Sequence, residues 1–190
     1  MKKLQIIGYL FALLLITCNA FAEGSQGEQL QTYSNRKWGF SFTYPRSWDL
    51  YSNRSFTEMT HGLWNVPNAV VIVVNKNDPE ENFFVKAIPA PNGTIPKSAL
   101  QDMIKSLDQA YQQQYQGFRK IQARIVEIAG ARGIEYLMDS ERECTKLRQM
   151  VLILIKNRKF FIWTFTAPRD RYGQVSKKVF EGVISNLQIK

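Results

Sequence analysis

Residues 147–168 read LRQMVLILIKNRKFFIWTFTAP, two apolar runs separated only by a short polar turn. Leu147 to Lys156 and Phe160 to Thr166 are rich in β-branched and aromatic residues, and Asn157 and Arg158 supply the turn between them. The segment therefore predicts an antiparallel hairpin. Both arms are nearly continuously apolar rather than alternating, which suits the centre of a sheet covered on both faces. This sets the fold class: α+β, an antiparallel sheet with helices packed against it.

Working back from the hairpin, Lys120 to Ile128 and Arg132 to Asp139 read as two further strands. Before them Leu100, Met103, Ile104, Leu107, Tyr111 and Tyr115 recur at helical spacing and line one face. Ser98 with Gln101 three residues on predicts a capping box at the start of that helix, and Gly117 its end. Ala69 to Val74 and Phe83 to Ile88 read as strands joined by a turn over Asn75 to Asn82, with a loop over Pro89 to Pro96. Earlier still, Gly39-Phe40-Ser41-Phe42-Thr43-Tyr44-Pro45 alternates and stops at proline, the pattern of a half-buried strand. Trp48 to Tyr51 would continue it or return beside it. Beyond the hairpin, Val175, Val179, Phe180, Val183, Ile184 and Leu187 repeat at helical spacing and predict a closing amphipathic helix. No repeat or low-complexity linker divides the chain, so residues 33–190 read as one domain after a polar leader over 23–32.

The N-terminus is of another kind. Lys2 and Lys3 precede an apolar run from Ile6 to Cys18, about 13 residues, within the ~7–15 of a signal peptide and short of the ~20 of a membrane-spanning helix. Ala20 and Ala22 flank Phe21 in an Ala-x-Ala pattern, so residues 1–22 read as a secretory signal cut between Ala22 and Glu23. A second reading stays open. Leu15-Ile16-Thr17-Cys18 resembles a bacterial lipobox, at which Cys18 would be acylated, although Thr17 departs from the small residue such sites carry before the cysteine. Cleavage after Ala22 leaves Cys144 as the sole thiol, which excludes an internal disulfide framework.

The Gly39–Pro45 strand followed by Trp48, and the Phe160–Pro168 strand before a last helix, resemble the PsbP-like proteins. These share the Mog1/PsbP fold and include exported bacterial proteins similar to DcrB. The resemblance spans roughly Tyr33 to Lys190, and its motifs serve packing and turning rather than chemistry. It implies an α-β-α sandwich around an antiparallel sheet of about six to eight strands, and proteins that bind or help assemble something larger. Plant members assist the oxygen-evolving photosystem; the Lys-Lys signal peptide points away from that role.

Few residues offer chemistry. His61 is the only histidine, so a metal site with two histidines is excluded, and any nucleophilic scheme must join His61 to a partner such as Cys144. Neither has a nucleophile motif around it, and they read as a surface histidine and an unpaired thiol. Asp139, Glu141 and Glu143 alternate onto one face of an extended segment, but Arg142, Lys146 and Arg148 are interleaved, so they read as a solvated hairpin end rather than a metal site. Asn53-Arg54-Ser55 and Asn92-Gly93-Thr94 match the glycosylation pattern, which is without meaning in a bacterium, and Trp38, Trp48 and Trp64 read as core.

Charge has wider reach: 25 Lys plus Arg against 16 Asp plus Glu give +9, and removal of Lys2 and Lys3 leaves +7. If the terminal helix packs beside the hairpin, Lys156, Arg158, Lys159, Arg169, Arg171, Lys177 and Lys178 would form one anion-binding face. Export and the lack of a recognised motif exclude nucleic acid as the partner. The sequence thus predicts an exported, non-enzymatic accessory or binding protein of the bacterial cell envelope, periplasmic or secreted. It would be monomeric, without cofactor or metal, and would act on an envelope protein or an anionic surface. Two other classes stay open: a small periplasmic hydrolase using His61, and a lipid-anchored component acylated at Cys18.

Overall fold

The hairpin that decides the fold class is central in the computed structural model, which describes residues 29–61, 66–91 and 95–190. Its arms are β8 (Thr145–Lys156) and β9 (Lys159–Pro168), paired from Leu147 opposite Pro168 to Lys156 opposite Lys159. The preceding elements are β1 (Leu30–Asn35), β2 (Phe40–Pro45), β3 (Trp48–Tyr51), α1 (Asn53–Met59), β4 (Ala69–Asn75), β5 (Asp78–Pro89), α2 (Lys97–Gln114), β6 (Gln116–Ile128) and β7 (Ala131–Arg142). After β9 comes a terminal helix, α3, whose α-helical ends (Tyr172–Val175 and Glu181–Ser185) flank a π-helical turn (Ser176–Phe180), and then β10 (Gln188–Ile189). Seven strands form one antiparallel sheet in the order β3-β4-β5-β9-β8-β7-β6, and β1-β2-β10 form a second. The class is α+β, as the sequence predicts.

Three successive hairpins, β6 to β9, turn on two residues each: Ala129 and Gly130, Glu143 and Cys144, Asn157 and Arg158, all with positive φ. Positive φ at both central positions matches the right-handed twist of the flanking strands. Period 2 then sorts the side chains of the large sheet. On one face, Phe83 of β5 and Phe161, Trp163 and Phe165 of β9 are fully buried with Phe40 and Phe42 of β2 and Phe180 of α3. On the other, α2 lays Leu100 on Ile134, Tyr136, Met138, Val151 and Ile153, and α1 lays Phe56 on Ile72 and Val74.

The differences from expectation have local causes. Trp48–Tyr51 pairs with β4 and so belongs to the large sheet, not beside β2. The turn expected over Asn75 to Asn82 shrinks to Lys76 and Asn77; β5 resumes at Asp78, with a register shift where Val74 faces Asn82 and Asn75 faces Asp78. The expected Ser98–Gln101 capping box does not form. Helix α2 starts two residues earlier, at Lys97 behind Pro96, which offers no side-chain cap. Gly117 does not cap that helix either: it lies in β6 at φ +62, in the register shift between Gln116 and Arg119, where an added Cβ would come 3.1 Å from Glu141 Cβ. The structure adds the short helix α1, opened by a Ser-x-x-Ser capping box in place of the usual Glu or Gln at the third position: Ser55 N donates to Ser52 Oγ at 3.1 Å and Ser52 N donates to Ser55 Oγ at 2.9 Å. The β1 strand reaches back to Leu30, into the stretch read as polar leader, because all six of its residues pair with β2.

Two glycines make the packing testable. An added Cβ on Gly133 of β7 would meet the Ile153 carbonyl oxygen at 1.8 Å, whereas one on Gly182 of α3 would meet nothing within 4 Å. Gly133→Ala should cost about 3 kcal/mol, the upper end of ordinary overpacking, and lower the thermal midpoint by roughly 6–12 °C. Gly182→Ala should raise stability by about 0.5–1 kcal/mol. Calorimetry on both checks the assignment, and a neutral Gly133→Ala would show that β7 and β8 are spaced more widely than described.

Candidate functional site

Helix α1 packs over β4 and α2 over β6 and β7, and a gap stays open between them over parts of β5, β8 and β9. The result is a cleft of about 390 Å³. The alternation of β5 builds it: Phe83, Val85 and Ala87 point into the aromatic core, so Asn82, Phe84 and Lys86 must point the other way. In β8 and β9 the same rule delivers Gln149 and Thr166 to the cleft floor. These are bonded to one another, Gln149 Nε2 donating to Thr166 Oγ1 at 3.2 Å and Ser140 Oγ donating to Gln149 Oε1 at 3.3 Å. Phe84, Tyr115 and Phe56 form apolar walls, and on the rim Arg142 Nη2 pairs with Glu80 Oε2 at 2.6 Å.

Lys86 is the cleft's distinctive charge. Its Nζ lies 5.5 Å from the Phe84 ring centroid, and burial lowers its pKa, with no ion pair to a carboxylate among the described residues. Amides, hydroxyls, aromatic walls and one half-buried ammonium can orient and hold a ligand bearing an acceptor or negative group. Among the described residues no group of His, Cys, Asp or Glu is arranged to hold a metal ion.

The sequence candidates fall elsewhere. His61 is exposed at φ +50 just past α1, where it lines a separate, more apolar hollow of about 380 Å³ with Tyr51, Phe56 and Met59. Cys144 is exposed at φ +70 in the β7–β8 turn, and no hydrogen bond joins it to His61. Trp48 is buried in the core and Trp38 half-buried, while Asn53 opens α1. The cleavage pair Ala22 and Glu23, Cys18, Trp64 and Asn92 lie outside the described residues.

Asp139 corrects the expected solvated hairpin end. It is only 4% exposed and accepts from Arg148 Nε at 2.7 Å, Arg148 Nη2 at 3.2 Å and Arg119 Nη2 at 2.6 Å, while Arg169 Nη1 stands 3.9 Å away. Burial opposes its ionisation, but the hydrogen bonds from Arg148 and Arg119 outweigh burial and hold the carboxyl below the ordinary range. Glu141 is half-buried and Glu143 exposed. Arg119 lies twenty positions upstream of Asp139, and only the β6–β7 register, Arg119 opposite Asp139, brings it there.

The seven basic candidates do not form one face. Lys156, Arg158 and Lys159 stand at one end of β9 and Arg169 and Arg171 beyond the other, separated by a ten-residue strand of about 33 Å. Lys156 Nζ donates to the Ala129 and Ile189 carbonyls at 2.9 and 2.6 Å, and Lys159 Nζ to the Trp38 carbonyl at 3.0 Å, so both tie chain segments together. Arg171 pairs with Asp78 and Glu81. Lys177 and Lys178 are exposed on the π-helical turn.

A seven-stranded antiparallel sheet with α1 and α2 on one face, and α3 and a small sheet on the other, defines a protein of the Mog1/PsbP fold. The family model described as PsbP matches residues 28–189, and the chain belongs to the PsbP family. Among solved structures, the cyanobacterial PsbP, CyanoP, of Synechocystis sp. PCC 6803 is 19% identical with a TM-score of 0.57, covering 88% of this chain and 96% of its own. The Ran-binding protein Mog1p of Saccharomyces cerevisiae is 11% identical at a TM-score of 0.52, covering 85% and 96%. LpqN of Mycobacterium tuberculosis is 14% identical at 0.51, covering 85% and 91%. At these identities the likeness is one of fold. No curated protein matches significantly. Among the described residues no helix is long and apolar enough to cross a membrane.

The Asp139 cluster carries a pH prediction. Its folded-state pKa is depressed, so ionised Asp139 contributes stability above the unfolded value of about 3.8, and that contribution is lost as pH falls through the folded value. Asp139→Asn should cost about 1–3 kcal/mol at pH 7. The gap to the wild type should narrow below about pH 4 in urea titrations. A gap constant with pH would show that the charge is not what stabilises.

Proposed function

We propose that this protein is an exported, non-enzymatic accessory or binding protein of the cell envelope, holding its partner in the cleft between α1 and α2. The observation that carries this reading is Lys86, half-buried over Phe84 and without a carboxylate partner among the described residues, beside a floor whose Gln149 and Thr166 are already joined by a hydrogen bond. A desolvated ammonium costs free energy that an acceptor on a ligand offsets, and a pre-bonded floor loses little freedom when the ligand arrives. The floor groups are amides and hydroxyls, which suit recognition rather than proton transfer. Export is supported by the charged, apolar and Ala-x-Ala pattern of residues 1–22. Two structural neighbours agree in kind: Mog1p is described as Ran-binding, and LpqN as involved in cell envelope biogenesis.

Affinity capture from the envelope fraction, with wild type and Lys86→Glu in parallel, tests the cleft. The captured partner should be lost from the variant while its thermal midpoint changes little; an identical set of partners would move the binding surface elsewhere. Mass spectrometry of the purified N-terminus tests export. A chain beginning at Glu23 is expected, and an acylated Cys18 would replace the soluble reading with the lipid-anchored one.

A further inference from the structure

On the opposite face of the sheet, one carboxylate holds more positive charge than it can neutralise. Arg148 alone satisfies Asp139 with a bidentate pair, Nε to Oδ1 at 2.7 Å and Nη2 to Oδ2 at 3.2 Å. Yet Arg119 of β6 also bonds Oδ2 at 2.6 Å, and Arg169 stands 3.9 Å from the same oxygen. Three cations around one anion leave a local excess of two charges. Lys146 and Glu141 stand opposite each other across β7 and β8 with opposite charges, and the carboxylates of Asp78, Glu81 and Asp170 act on Arg171. The arrangement is built into the backbone, since the register shift between Lys120 and Gln122 sets Arg119, in place of Lys120, opposite Asp139. Arg119 and Arg169 keep side chains 65% and 43% exposed, against 26% for Arg148, so most of their donors face solvent. Two rigid guanidinium forks, kept close by a shared carboxylate, match an anion with three or more acceptor oxygens.

We propose that Arg119 and Arg169, drawn together by Asp139, bind the phosphate group of an anionic ligand. Of these residues only Arg169 is visible in the sequence as part of a basic cluster, and the site is independent of the Lys86 cleft. The test titrates the wild-type protein with inorganic phosphate at low salt, following arginine side-chain NMR signals and heat. In parallel it sediments the protein with phosphatidylglycerol vesicles. Saturable shifts at Arg119 and Arg169 are expected. Each of Arg119→Gln and Arg169→Gln should weaken binding about tenfold or more, whereas Lys177→Gln with Lys178→Gln should leave it unchanged. Binding of phosphate without vesicles assigns a soluble phosphate ligand, and tighter binding of vesicles assigns a lipid headgroup; both support the site if the arginine variants lose it. The wild-type titration keeps the proposal falsifiable even if a variant unfolds. No arginine shifts and no vesicle binding, or equal weakening by the lysine variant, overturn it.

Discussion

The inner face of β9 is the constraint on which the rest depends. Phe161, Trp163 and Phe165 occupy alternate positions with no exposed surface, and each meets rings from other elements. Phe42 stands edge-on to Trp163 at 5.1 Å, Phe83 lies 5.3 Å from Phe165, and Phe180 lies 4.8 Å from Phe165. Such pairs add about 0.5–1.5 kcal/mol each beyond the area they bury. They fasten the small sheet through Phe42 and the terminal helix through Phe180 onto the large sheet. The packing even absorbs a buried Trp163 Nε1 without a hydrogen-bond partner, a cost of about 1–3 kcal/mol. With one side of β9 and β5 committed to aromatic contact, the polar residues of those strands have only the other side to occupy. The cleft follows from the core.

Much of the framework was readable because period and punctuation agree locally. The β8–β9 hairpin and the apolar stripe of α2 stand where the spacing places them, and Val175, Val179, Phe180 and Val183 are buried as the closing periodicity requires. What failed was detail that depends on partners. Ser98 and Gln101 have the right spacing for a capping box, but Pro96 takes the cap position. Gly117 looks like a helix stop and serves a strand irregularity instead. A two-residue strand such as Gln188–Ile189 has no periodicity to read; it exists because β2 offers it an edge.

The sites were less readable than the fold for the same reason. Alternation correctly set Asp139 and Glu141 on one face of β7, yet nothing local shows that Asp139 is buried or that Arg119 faces it across β6. Lys86, Gln149 and Thr166 come from three strands, and none belongs to a local motif that marks it as a binding residue. Runs of charge in sequence drew attention to Lys156 and Lys159, whose amines are spent on backbone carbonyls. Membership of the PsbP family fixes the scaffold; the positions of these polar residues, not the scaffold, determine what the protein can hold.

The three two-residue turns between β6 and β9 bear on how the chain finds this structure. Each pairing in that meander joins neighbours in sequence, so it closes the shortest loop available and loses little chain entropy. The pairing of β5 with β9, and of β2 with β10, instead brings together segments from distant parts of the chain. By sequence separation, the costlier contacts to close are those that dock the N-terminal strands onto the meander. Until β5 arrives, the edge of β9 and its aromatic face stand open to other chains, which makes that interval the one in which the protein is most exposed to aggregation.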